Sequence, residues 1–185
     1  MTDVRSAMIV TKMGAAQSQL RTAIQLWFSH GDPVSVHALA YAAYEIIHTI
    51  SKKRDPNRPD LLFDSLLIKE EHRKDFNLSI KKHANFFKHG NRDGETTINF
   101  EPELTELYLL FASIGLHVCE ENQSDEELAF LWWYRINHPE LLPEEGRKLL
   151  IDSIPIEQLN DIRNLQKDDF FQGFMILRKI IQGTS

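Results

Sequence analysis

The residues of this sequence best suited to chemistry lie between positions 82 and 93. Lys82, Asn85 and His89 are spaced i, i+3 and i+7, so on a helix they share one face. Such a face offers an amine, an amide and an imidazole that can hold an anion or perform general acid/base work. Arg92 and Asp93 follow immediately, in a loop of the kind on which sites tend to lie. This cluster is therefore the first candidate site.

The same residues also have a structural interpretation. Gly90 can adopt the left-handed backbone that ends a helix, and the cations Lys88 and His89 suit the negative end of the helix dipole. Asn85 would then bond to a nearby loop. His83 points away from this face, because the six residues from His83 to His89 correspond to about 600° of rotation. Two imidazoles so placed cannot bind one ion from a regular helix.

A second group of candidates lies on the preceding long helix. Five of its residues fall on one broad face: His37, Tyr41, Tyr44, Glu45 and His48. The Glu45-x-x-His48 spacing is typical of one half of a di-iron carboxylate site, but the sequence has no second copy, so we do not expect a di-iron centre. A mononuclear metal site formed by Glu45, His48 and His89 is an alternative. We favour the interpretation that these side chains fill helix interfaces and bond through their polar tips, with no metal or cofactor.

Three consecutive aromatic residues indicate a subunit interface. Trp132, Trp133 and Tyr134 surround most of one helical turn, so at least one ring should face something other than the protein's own core. Aromatic side chains are enriched at interfaces, and a homodimer is the natural candidate. Core packing of all three rings is the alternative.

Composition and charge exclude several classes of protein. The 185 residues carry a net charge of −6, and residues 95–145 contain one basic residue against 12 acidic ones. We therefore do not expect general DNA binding, which depends on cations that neutralise phosphates. A local basic face over residues 52–92 is possible, and the acidic middle could pair with it within or between subunits.

The cellular compartment is predicted from the lack of a membrane-spanning segment, of a signal peptide and of a second cysteine. No apolar run approaches the roughly 20 residues that span a bilayer, and the first residues lack the apolar core of a signal peptide. The single cysteine, Cys119, permits no internal disulfide. We therefore expect a cytoplasmic protein without membrane contact.

Hydrophobic periodicity predicts an all-α fold, a bundle of about seven to nine helices in a single domain over residues 1–185. The segment from Thr96 to Phe100 resembles a strand but has no obvious partner, so we predict an extended loop. The helix rich in alanine should lie at the centre. Predicted helices span about 11–29, 33–53, 69–89, 101–121, 124–138, 143–153, 155–164 and 168–182, with a further short element at 61–67.

Two family resemblances rest on the segment around His83. The sequence Ala84-Asn-Phe-Phe-Lys-His-Gly-Asn-Arg-Asp93, preceded by the helix from Ala38 to Ile50, resembles a group of bacterial helical proteins with an Asn-Phe-Phe-Lys-His-Ala-Asp-Arg-Asp-like signature. This resemblance covers about a third of the chain and implies no activity.

The chain also resembles HEPN domains, which are helical bundles that often dimerise and in many members cleave RNA. Their site is an arginine followed, four to six residues further on, by a histidine. Here Lys82 stands in the arginine position and His89 follows after six intervening residues. Lysine lacks the planar fork that grips phosphate at two points. The resemblance implies Lys82, His83 and His89 as a catalytic site.

The sequence thus leads to two principal hypotheses. The first is a non-enzymatic, homodimeric helical protein that binds a partner or small ligand near residues 82–93, since hydrolase, phosphate-loop and dinucleotide motifs are missing. The second is an RNA endonuclease of the HEPN type. Metal binding through Glu45, His48 and His89 is a third.

Overall fold

The computed structural model describes residues 7–61, 71, 73–88, 95–142 and 144–183. Within these residues the fold is all-α, as predicted, and the 95–100 segment is extended without pairing into a sheet. Single 3-10 turns at Pro102–Leu104 and Pro139–Leu141 precede α4 and α6. The helices are α1 (Lys12–Phe28), α2 (Pro33–Arg54), α3 (Arg73–Lys88), α4 (Thr105–Val118), α5 (Asp125–Asn137), α6 (Glu144–Ser153), α7 (Ile156–Arg163) and α8 (Lys167–Gly183).

Helix α2 lies at the centre of the bundle, as its alanine content predicts. It packs against α1, α3 and α4. Ala40 and Ala43 are fully buried, and side chains this small let the neighbouring helices approach closely. The central position of α2 brings residues from α3 and α4 to the same buried region.

Helix α4 is covered on more than one side. Nine of its 14 residues are buried. It meets α2 at Gly115, where a Cβ atom would lie 2.6 Å from Ile47 Cγ2 and 2.7 Å from Leu61 Cδ1. Any side chain at position 115 must therefore displace its neighbours.

The helix starts follow the capping residues in the sequence. Thr11 accepts from the Gly14 N–H at the start of α1, and Asp32 accepts from the Ser35 N–H at the start of α2. Ser124 forms a capping box with Glu127 at the start of α5. Each cap satisfies an N–H that the helix itself leaves without an acceptor.

Helix α1 ends with a residue other than glycine in the left-handed conformation. The left-handed residue is His30, with φ of 53°, and the Gly31 N–H bonds back to the Leu26 carbonyl at 2.7 Å. Helix α4 ends in the same way, with Glu120 at φ of 58° and the Glu121 N–H on the Leu116 carbonyl. Both ends have the hydrogen bond of a Schellman motif with a non-glycine residue in the left-handed position.

The acidic middle of the chain is partly neutralised inside the bundle. Arg54, from the basic 52–92 segment, donates to the Cys119 carbonyl at 2.6 Å and to Glu121 at 2.9 Å. Arg178 of α8 donates to Asp125 at 2.7 Å. The pairing between the basic 52–92 segment and the acidic middle, which the sequence left open, therefore occurs within one chain at Arg54.

None of the described helices could cross a membrane. Among residues 7–61, 71, 73–88, 95–142 and 144–183, no helix combines the length and the apolar character needed to cross a bilayer.

Changing Gly115 to Ala should destabilise the protein. Alanine favours a helix by about 1 kcal/mol over glycine, but overpacking at the contact with Ile47 should cost about 1–3 kcal/mol. Urea unfolding should show a net loss of up to about 2 kcal/mol. Gly183→Ala is the control, because its Cβ would meet nothing within 4 Å. Equal stability of the two variants would contradict close packing at residue 115.

Candidate functional site

The predicted cluster on α3 divides between two sides of the helix. Lys82 and Asn85 are both exposed, in agreement with a shared outer face. His83 is buried at 6% exposure, so it points to the opposite side, as its spacing predicts. His89, Arg92 and Asp93 lie outside the described residues. The described part of the cluster is therefore an exposed amine beside an exposed amide.

His83, for which the HEPN resemblance implies a catalytic role, is bonded to the backbone and little exposed to solvent. Its Nε2 lies 2.7 Å from the Asn99 carbonyl oxygen. A carbonyl only accepts, so Nε2 carries the hydrogen, and Nδ1 is the ring's acceptor in the neutral form. Through this hydrogen bond the buried imidazole holds the 95–100 segment against α3. Its ring is largely shielded from solvent.

His83 belongs to a buried group of rings from α2, α3, α4 and the 95–100 segment. The His37 ring centroid lies 6.2 Å from that of His83, 5.1 Å from that of Phe100 and 5.4 Å from that of Tyr108. His37 Nδ1 pairs with Thr105 Oγ1 at 2.9 Å. Histidine contributes here mainly as a ring with one hydrogen-bonded edge, which agrees with the interface role favoured from the sequence.

This ring group hides polar atoms from water. Within the described part of the chain, His37 Nε2, His83 Nδ1 and Tyr108 Oη are buried and have no hydrogen-bond partner. Desolvation, followed by the nearby His83, lowers the pKa of His37 from 6.5 to about 4. Burial also raises the pKa of Tyr108 well above its usual range. The environment favours the neutral form of both groups.

The other α2 candidates form two separate polar contacts near the surface. Tyr44 Oη donates to Asp60 Oδ1 at 2.9 Å, and His48 Nε2 lies 3.2 Å from Asp60 Oδ2. Glu45 instead pairs with Lys88 Nζ at 3.2 Å. Glu45 and His48 are thus engaged with different partners.

A cation–π contact also joins α3 to α2. Lys88 Nζ lies 4.4 Å from the centroid of the Tyr41 ring, whose hydroxyl is 3.4 Å from Glu45 Oε1. Burial, together with the charge of Glu45, raises the pKa of Tyr41 to about 12. Lys88 therefore contacts α2 and is not available as a freely extended cation.

The described residues offer no preformed metal centre. Across them, no group of three or more His, Cys, Asp and Glu side chains is arranged to hold an ion. The proposed site of Glu45, His48 and His89 cannot be assembled from them, because His89 lies outside the described residues.

A different surface stands out at the C-terminal end of the bundle. Helix α8 buries only Phe170, although it also carries Phe171, Phe174, Ile176 and Leu177. An open apolar groove of about 480 Å³ runs between α5, α7 and α8. We call it the α8 groove; Trp132, Ile136, Ile162, Leu165, Phe170, Gly173, Phe174 and Leu177 are among the residues that line it.

Only one ring of the aromatic triplet reaches this groove. Trp132 is 37% exposed and lies in its wall. Trp133 packs on Trp27 with ring centroids 4.5 Å apart, and Tyr134 is buried. The prediction that at least one of the three rings lies outside the core is confirmed at Trp132. The remaining wall was not identified from the sequence, because apolar residues on α8 also fit a buried helix.

Comparison of the chain with protein-family models, with curated proteins and with solved structures found no match.

The buried ring group predicts a loss of stability in acid. The unfolded chain takes up a proton on His37 near pH 6.5, whereas the folded chain does so only near pH 4. The unfolded state therefore binds more protons between these values. The free energy of unfolding should fall by up to about 3 kcal/mol as the pH falls through that range.

Urea unfolding of His37→Gln between pH 7 and pH 4 tests this expectation. The variant should lose part of the wild-type slope of stability against pH. Phe100→Leu is the control, because it disturbs the same ring group without removing a titrating side chain; it should lower stability and keep the slope. A wild-type slope in His37→Gln would show that His37 is not responsible.

Proposed function

We propose that the protein is a non-enzymatic interaction protein of the cytosol that acts as a homodimer, with its subunits meeting through the α8 groove. The observation that carries this proposal is the apolar face of α8. Ile176 and Leu177 are 58% and 53% exposed on a helix with only one buried residue. Contiguous exposed apolar surface of this kind commonly marks a protein–protein contact.

The composition of the groove supports the same proposal. Trp132 and Leu177 both line it. Arg135 lies beside the Trp132 ring, with its guanidinium carbon 5.9 Å from the ring centroid. Tryptophan and arginine are enriched in the residues that dominate binding energy at interfaces. A mainly apolar groove that includes a tryptophan suits a docked helix better than a polar substrate.

The α8 groove supports a role in protein–protein interaction, and the proposals that place a site at residues 82–93 have less support. Lys82 and Asn85 are exposed on a helix face, and His83 is unavailable because it is buried on the Asn99 carbonyl. RNA cleavage through Lys82, His83 and His89 is therefore the less supported proposal. Binding of a small ligand near residues 82–93 is the other, less supported proposal.

Leu177→Glu tests the proposed dimer. Wild-type protein should behave as a dimer at tens of micromolar in light scattering coupled to size exclusion. A carboxylate buried in an apolar contact without a partner costs several kcal/mol, so Leu177→Glu should be monomeric at the same concentration. Circular dichroism should show unchanged helix content, because Leu177 is largely exposed in the single chain.

Leu78→Glu is the matched control. Leu78 is 63% exposed on α3, away from the groove, and this variant should remain dimeric. A wild-type monomer at every concentration, or equal behaviour of the two variants, would remove the proposal.

A further inference from the structure

The one buried side chain of α8 lies in the first half of the helix. Helices α1 and α8 have 17 residues each, yet α1 buries six side chains and α8 buries only Phe170. In the described segment 174–183, which we call the α8 arm, no side chain is buried. Helices in proteins owe most of their stability to the packing of an apolar face. The α8 arm therefore depends on contacts of another kind.

The first half of α8 is fixed by ring stacking and by an ion pair. Phe170 and Phe171 stack on Phe28 of α1, with ring centroids 6.1 Å and 4.6 Å away. Lys167 Nζ lies 3.5 Å from Glu106 Oε1 of α4. Contacts with two different helices thus hold the start of α8 in place.

The α8 arm is tied to α5 through one carboxylate. Arg178 Nε donates to Asp125 Oδ1 at 2.7 Å, and Gln182 Nε2 donates to Asp125 Oδ2 at 3.2 Å. Hydrogen bonds between charged groups are stronger than those between neutral groups. Because both bonds end on Asp125, loss of its charge weakens both of them at once.

Gly173 separates the two halves of α8. Glycine in a helix interior is less stable than alanine, and a Cβ at this position would meet nothing within 4 Å. The arm that follows has ten residues, 174–183. A segment of that length is too short to remain helical in water by itself. Release of the arm from α5 should therefore unwind the helix as far as Gly173.

We infer that the α8 arm is a movable wall of the α8 groove, which opens from α5 as a separate unit and is held closed by Asp125. The arm contributes Leu177 to the groove, and α5 contributes Leu128 and Trp132. Release of Arg178 from Asp125 therefore widens the groove. The inference concerns the single chain and does not depend on whether the protein forms a dimer.

Hydrogen–deuterium exchange of a variant in α5 tests this inference. Asp125→Asn keeps the shape of the side chain and removes its charge. Backbone amides of the α8 arm should then exchange about tenfold faster, because losing a hydrogen bond to a charged group shifts an opening equilibrium by about that factor. Amides of residues 170–173 and of α1 should keep their wild-type rates.

Glu126→Gln is the matched control. It removes the same charge from the next residue of α5, which contacts Gln25 and Arg21 of α1, and it should leave exchange from the arm unchanged. All variants are compared at one protein concentration, because dimerisation would also protect α8.

Each outcome decides the inference. Faster exchange confined to the arm of Asp125→Asn supports it. Wild-type exchange from the arm of Asp125→Asn, or equal acceleration in Glu126→Gln, overturns it. Acceleration along the whole chain also overturns it, since α8 would then open only when the protein unfolds. The proposed dimer is tested separately by light scattering, so the two claims can fail independently.

A double variant provides a second measurement. Arg178→Gln should also accelerate exchange from the arm, because it removes the other charged partner of the tie. Asp125→Asn combined with Arg178→Gln should exchange no faster than Asp125→Asn alone, since the two side chains act through each other. Multiplied effects of the two substitutions would contradict the role of this pair.

Discussion

The way α8 is fixed to the bundle determines which of its surfaces is left for other contacts. Phe170 and Phe171 stack on Phe28, with ring centroids 6.1 Å and 4.6 Å away, and Lys167 sits over Trp27. These contacts hold α8 along one side. The adjacent side, with Ile176 and Leu177, is exposed, although burying such a side chain is worth about 1.5–3 kcal/mol. Burial of these side chains by a second subunit would supply free energy that the single chain does not gain, and this is the basis for the proposed dimer.

Two polar histidines are buried in this protein, whereas the surface proposed for binding is apolar. His37 and His83 lie inside the protein and are held by Thr105 and the Asn99 carbonyl, so these two titratable side chains contribute to packing. The exposed candidate surface is apolar instead. A pKa of about 4 for His37 also favours a packing role, because a general base should titrate near the working pH.

Short-range sequence signals were sufficient to predict where several helices begin. The Asp32-Pro33 start of α2 and the Ser124 capping box of α5 act over three or four residues, so the sequence contains everything that decides them. The end of α1 was harder to predict, because His30 adopts the left-handed conformation next to a glycine better suited to it.

Tertiary contacts decided what the sequence could not. Helical spacing separated His83 from Lys82 and Asn85, but nothing in the sequence says which face meets α2. Phe170 and Leu177 on α8 are similarly apolar, yet only Phe170 is buried, because burial depends on where α1 and α5 lie. The groove therefore required coordinates, whereas Trp132 could be suspected from its two aromatic neighbours alone.

Hydrogen–deuterium exchange at two protein concentrations tests the central claim most directly. At about 100 µM, backbone amides of α8 should exchange more slowly than at about 1 µM, because association protects a helix that the single chain holds along one side. Amides of the central helix α2 should exchange at the same rate at both concentrations. Exchange from α8 that does not depend on concentration would contradict the account.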